Sequence, residues 1–306
     1  MFIGMPINIA VTSRGEYFIS EGTGIRVLHY DAKGRLMEII GRYGYGPNEF
    51  VQPAFLVSID DTTLLITDQL RRDVILWDLP RHSERLRFPY HGMPGFFAVA
   101  NGTITGTTFD VGRGTIATRW GLPPKQGQTL GKLPPVFMHN SFFAIYGLIP
   151  LDVFGDSVAY FTGNSDFVRI ADSTWTVSDS VPIPRRLRRG IPAVIDSTMG
   201  NGRNIYNVMN QLSNPYAFHR LSGNRYAVVH VDGIFKNTGV TGSLFLTIVE
   251  KGAVSRCVDM LLPVHDDNAL ARITFRGDTL YVLDHFVEGT GALADVQKIV
   301  LDRRQC

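Results

Sequence analysis

Apolar and polar residues alternate along this chain in short stretches, and six times such a stretch follows a compact turn of Gly, Asp, Asn or Ser. Arg14-Gly15 precedes EYFIS, Asp60-Asp61 precedes TTLLITD, and Asn101-Gly102 precedes TITGTT. Gly155-Asp156 precedes SVAYFTG, Gly223-Asn224 precedes RYAVVHVD, and Gly277-Asp278 precedes TLYVLD. Turn residues followed by β-branched and aromatic side chains at a period of two predict β-hairpins. Upstream of most turns lies another apolar strand, such as INIAV from Ile7 or AFLVSI from Ala54. Downstream comes a third, such as IRVLHYD from Ile25 or DVILWDL from Asp73, and in the better-preserved units a fourth, such as RLMEII from Arg35.

The unit is therefore a four-stranded antiparallel meander, repeated six times. Such sheets cannot cover both faces alone, and radial packing into a six-bladed β-propeller covers them while leaving only short edges. An all-β single domain spanning residues 1–306 is the expectation. The last unit supplies strands at 269–275, 279–284 and 296–302 and ends one strand short. Residues 1–4 look like the tail of a fourth strand, so the N-terminal strand is expected to close the last blade.

One run stands out between the first two units: GRYGYGPNEFVQP, residues 41–53. Its glycines permit positive φ in a tight crossing between sheets, Pro47 fixes its own φ, and Phe50 can wedge between blades. A phosphate cradle is excluded, because no helix pattern follows and no Lys-Ser/Thr pair closes the loop. At Gly44, Gly46, Pro47, Glu49, Phe50 and Pro53 this run resembles the inter-blade connector of bacterial six-bladed β-propeller proteins, and residues 7–79 resemble two consecutive NHL-type repeats. Proteins of that group are commonly exported to the bacterial envelope, so the resemblance implies a periplasmic or cell-envelope location. Related propellers include lactonases, phosphotriesterases and lyases with a metal in the central channel.

Composition narrows the function classes. With 306 residues, 44% of them hydrophobic and 19% charged, the chain can bury a large core and is too apolar for disorder. A net charge of +2, dispersed, argues against nucleic acid as a partner. Residues 1–5 enter a strand pattern at once, without the charged and long apolar regions of an export signal, so the chain is cytosolic or its leader lies outside this numbering. Cys257 and Cys306 are too few for a disulfide framework and read as free thiols.

Two segments break the repeat. Residues 182–215 form a long insertion that opens with Arg185, Arg186, Arg188 and Arg189. It continues to a stretch in which Ile205, Val208, Met209 and Leu212 fall at helical spacing. The bland reading is a solvated linker or a lid over one channel mouth; the sharper one is a docking element for an acidic protein or an anionic membrane surface. Residues 134–155 concentrate aromatic side chains, among them Phe137, Phe142 and Phe143, as core or as a protein-binding patch.

Catalytic signals are sparse. The eight histidines form no zinc-type spacing, and no nucleophile elbow occurs. Carboxylates at equivalent positions after second strands, Glu21, Asp68, Asp166, Asp232 and Asp284, could gather around the channel and hold calcium. The third unit has Thr107 and Thr108 there instead. Strand-end aspartates also cap turns. His230 and His285, beside Asp232 and Asp284, could act as bases. The expected function is a non-catalytic interaction scaffold, an accessory or membrane-extrinsic subunit bound to other protein subunits and needing no cofactor. The alternative is a calcium-dependent hydrolase or lyase.

Overall fold

The computed structural model describes residues 4–110, 112–122, 127–132, 149–162, 166–183, 213–236, 239–252, 259–262, 271–288 and 291–301. Among these residues the regular structure is entirely β. Blade 1 is built from β1 (Pro6–Val11), β2 (Tyr17–Glu21), β3 (Arg26–Tyr30) and β4 (Leu36–Ile40). A short connector pairs β5 (Arg42–Tyr43) with β6 (Glu49–Phe50) in parallel. Blade 2 holds β7 (Pro53–Ser58), β8 (Thr63–Asp68), β9 (Asp73–Asp78) and β10 (Ser83–Pro89). Blade 3 holds β11 (Met93–Ala100), β12 (Thr103–Asp110), β13 (Thr115–Gly121) and β14 (Gln128–Leu130). Blade 4 holds β15 (Leu151–Phe154), β16 (Ser157–Tyr160), β17 (Phe167–Ala171) and β18 (Val177–Pro182). Blade 5 holds β19 (Asn214–Arg220), β20 (Arg225–Lys236), β21 (Gly239–Glu250) and β22 (Asp259–Leu261). Blade 6 shows β23 (Arg272–Arg276), β24 (Thr279–Glu288) and β25 (Gly291–Val300).

Each blade is an antiparallel meander in sequence order, and the first strands pack successively around a ring, β1 on β7, then β11, β15, β19, β23 and back to β1. This is the six-bladed propeller that the alternation predicts. The core lies between blades, because each sheet is twisted and apolar on both faces. Ala10, Phe18, Leu64, Ile66 and Trp77 fill the seam between blades 1 and 2, and Ala227, Val229, Leu246, Leu280 and Val282 fill that between blades 5 and 6.

Blade 6 closes onto blade 1 through side chains: Arg272 Nε donates to the Pro6 carbonyl at 3.0 Å and Arg276 donates to that of Val11 at 3.2 Å. Of the expected closing strand, residues 1–3 lie outside the described residues. Gly4 lies beside blade 1's own second turn, and Met5 is bonded to it: its carbonyl accepts from the Gly22 N–H at 2.8 Å and its N–H donates to Thr23 Oγ1 at 3.1 Å.

The connector shows why its sequence is what it is. Phe50 is fully buried in the seam of blades 1 and 2, 6.4 Å from the Trp77 ring. Its ring lies over Gly41, whose φ is +71° and where an added Cβ would stand 2.2 Å from a ring carbon. The Glu49 carboxylate accepts from the Gly46 N–H at 2.8 Å and from Arg42 Nε at 3.0 Å. These donors, the Gly46 N–H foremost, hold its carboxyl below the usual range.

Candidate functional site

In each blade the first strand crosses the disc, so first-to-second-strand turns share one face, here called lower, and second-to-third-strand turns share the upper face. The predicted carboxylates belong to the upper side, and most are used locally. Glu21, 1% exposed, accepts from the Gly24 N–H at 2.9 Å and pairs with Arg26 at 2.8 Å. Asp68 is fully buried and accepts three backbone N–H groups, from Val51 at 2.7 Å, Gln52 at 3.1 Å and Arg71 at 3.2 Å. It fastens the connector to its blade, which is the capping role that strand-end aspartates favour.

Asp232 and Asp284 differ from expectation in their placement. They sit inside strands, opposite Ser243 and Asp295, because both hairpins run on past them to Lys236 and Glu288. Asp232 accepts from the Ser213 hydroxyl, and Asp284 is buried. Asp166 is half-buried and its carbonyl accepts from the Ile183 N–H at 2.7 Å. His230 is buried and stacked on Phe245. Among the described residues no three carboxylates, histidines or cysteines form a group able to hold a metal ion. Arg185, Arg186, Arg188, Arg189, Phe137, Phe142, Phe143, Cys257 and Cys306 lie outside the described residues, as do residues 203–212.

Two other features emerge. The first is on the outer rim. Of the ten large apolar side chains exposed among the described residues, Leu36, Met37, Ile39, Tyr43 and Tyr45 fall within ten consecutive positions on β4 and the connector. The β4 strand pairs only with β3 among the described residues, so it presents an open edge beneath this apolar row. Arg71 lies 5.8 Å over the Tyr45 ring.

The second is the central channel. All six first strands line a cavity of about 230 Å³, including Asn8, Ser58, Asp152, His219, Thr274 and Arg276 among its polar residues. At the lower face it adjoins an open cleft of about 560 Å³, and Asp152 and His219 line both. His219 Nδ1 stands 2.7 Å from Asp152 Oδ2, and the imidazole stacks on Phe275 at 5.2 Å. Asp152 also accepts from the Arg220 N–H at 2.9 Å and the Val153 N–H at 2.8 Å. Beside it, the Ser222 hydroxyl of blade 5 donates to Asp278 of blade 6, which pairs with Arg225 at 3.1 Å. Burial opposes ionising Asp278, but the Ser222 hydroxyl and N–H and the Arg225 guanidinium outweigh it and hold the carboxyl below its usual range.

Sequence reasoning missed this pair because its members come from β15 and β19, 67 positions apart, with no local motif to join them. The available signal was positional: both stand near the end of a first strand, the part of a propeller that reaches a channel mouth.

No family model matches the chain, and no curated protein matches it in sequence. Its fold is similar to that of a DUF4221-family member from Bacteroides vulgatus, with 11% identity and a TM-score of 0.61 over 98% of this chain and 94% of that one. It is also similar to Kuenenia stuttgartiensis hydrazine synthase, with 14% identity and a TM-score of 0.57 over 92% of this chain and 74% of that one. The β-propeller domain of Cps50 (Swd1) from Myceliophteria thermophila shares 13% identity and a TM-score of 0.56, over 98% and 99% of the two chains. At these identities the likeness shows the propeller fold and no more.

Proposed function

We propose that this protein is an interaction module, a propeller disc that docks onto a protein partner through the rim of blade 1. The observation that carries this reading is the apolar row of Leu36, Met37, Ile39, Tyr43 and Tyr45 beside the open edge of β4. Exposed apolar residues gathered in this way mark contact surfaces, and an open strand edge adds backbone hydrogen bonds for an extended partner segment. The aromatic and Met content fits the make-up of interface cores.

The wider reading, an accessory subunit of an envelope complex with Arg185, Arg186, Arg188 and Arg189 as a second contact, rests on the sequence. A calcium-dependent hydrolase of the channel draws no support from the upper-face carboxylates, since Glu21 and Asp68 are already engaged by their own turns and connector.

The test is capture from native extract with the full chain, comparing wild type with Leu36→Ser/Met37→Ser/Tyr45→Ser and, separately, with charge reversal at the four arginines. The rim reading expects a stoichiometric partner that the rim variant loses and that salt alone does not elute. A partner retained by the rim variant and lost by the arginine variant would move the docking site to the basic segment.

A further inference from the structure

The lower channel mouth has no role in rim docking, yet it is built as a site. Two acceptor atoms cannot stand 2.7 Å apart, so a proton lies between His219 Nδ1 and Asp152 Oδ2. Asp152 accepts from two backbone N–H groups besides this contact. With Nδ1–H directed at the carboxylate, Nε2 is the ring nitrogen left for a ligand. The ring cannot turn freely, because Asp152 holds one edge and Phe275 covers one face, with the two planes 15° apart. An imidazole fixed in this way, lining both the channel cavity and the cleft beside it, is preorganised for a donor.

Charge and size select the donor. Around the lower mouth the carboxylates of Asp152 and Asp278 stand among the guanidiniums of Arg220, Arg225 and Arg276. Asp278 is paired with Arg225, and Asp152 is engaged by His219 and two backbone N–H groups, so the carboxylates of the mouth already have partners within the protein and a neutral molecule is favoured. The cavity has about 230 Å³, and a cavity of about 150 Å³ already holds a benzene ring. Phe55, Val57, Val99 and Ile273 give it apolar walls.

We propose that the lower mouth binds a small neutral alcohol or phenol, its apolar body in the channel and its hydroxyl donating to His219 Nε2. Asp152 is a positioning residue that fixes the tautomer and orientation of the ring.

The probe pair is benzyl alcohol and toluene, which share a ring and differ in the hydroxyl. Titration of the full chain, followed by ligand-observed NMR, should show the alcohol binding roughly tenfold tighter, the worth of one hydrogen bond to a fixed acceptor. In protein labelled with ¹⁵N-histidine, the His219 Nε2 resonance should shift on adding the alcohol while Nδ1 remains protonated. His219→Phe, which keeps the stacking on Phe275, should bind both probes alike. Equal affinities in the wild type, no binding of either probe, or a bound alcohol that leaves Nε2 unmoved would each overturn the proposal. If His219→Phe does not fold, the labelled wild type decides alone. The rim variant should bind the alcohol normally, so failure of docking and failure of this site are told apart.

Discussion

Asp68 and Asp152 are aspartates near strand ends of the same propeller, and their surroundings separate what they can do. Asp68 is completely buried, with three backbone N–H groups on its oxygens, two of them from the connector. Asp152, its side chain 19% exposed, gives one oxygen to Val153 and uses the other to hold both the Arg220 N–H and an imidazole that faces a cavity. The first closes chain connectivity, the second presents a functional group. An aspartate at a recurring position is thus no guide to function until its donors are known: backbone donors consume it, while a side-chain donor passes its influence on.

The comparison can be broken in several ways. Phe50→Ala should have the largest effect, since it empties the seam that the connector seals; a loss of about 3–5 kcal/mol in urea unfolding is expected. Asp68→Ala leaves buried backbone donors without an acceptor and should cost about 2–3 kcal/mol, with alcohol binding at the lower mouth unchanged in whatever fraction remains folded. Asp152→Asn keeps an acceptor for the Arg220 N–H, so it should cost only about 1 kcal/mol yet abolish the preference for benzyl alcohol over toluene. Should Asp68→Ala and Asp152→Asn have equal effects on both readouts, the distinction between the two aspartates fails.

Acid sensitivity sharpens it further. Asp61, through the Ser13 hydroxyl foremost, and Asp278, where Ser222 and Arg225 overcome the effect of burial, are both held below the usual carboxylate range. A depressed folded-state pKa means the unfolded chain takes up protons first. The stabilisation is thus complete above the unfolded value of about 3.9 and is lost as pH falls through the folded value. Ser13→Ala/Ser222→Ala should be less stable than wild type near neutrality, with the gap closing as pH falls through the folded-state values of the two aspartates. The smallest effect on stability belongs to Leu36→Ser/Met37→Ser, within about 0.5 kcal/mol because both side chains are exposed, although partner capture should be lost.

Much of the fold was legible because each blade announces itself locally. All six turns identified from sequence precede a second strand, from Tyr17–Glu21 through Thr279–Glu288. Phe50 was legible as a wedge because, unlike Tyr43 and Tyr45 in the same run, it has no hydroxyl to keep at the surface. Asp232-Gly233 misled for a physical reason: the dipeptide is a strong hairpin-turn signal, but here the ladder continues through it, Asp232 opposite Ser243 and Gly233 opposite Gly242. Glu21 and Asp68 were legible as candidates but not as spent ones, since their partners at Arg26 and Val51 are fixed only when turn and connector are folded. The His219 pair is of another kind, made by two blades lying side by side, and a scan for local motifs does not see across a seam.

The hydroxyl link between Ser222 and Asp278 recurs at another seam, where Ser13 of blade 1 reaches Asp61 of blade 2. Each joins the lower turns of adjacent blades, so along these parts the rim acts as a hoop and resists splaying. Blades 5 and 6, which the Ser222 link ties together, carry His219 and Phe275. The Ser222 link and the Arg225–Asp278 pair thus join the lower turns of the two blades beside the imidazole and oppose their separation. For the alcohol proposed above, calibre is then the first criterion and hydrogen bonding the second.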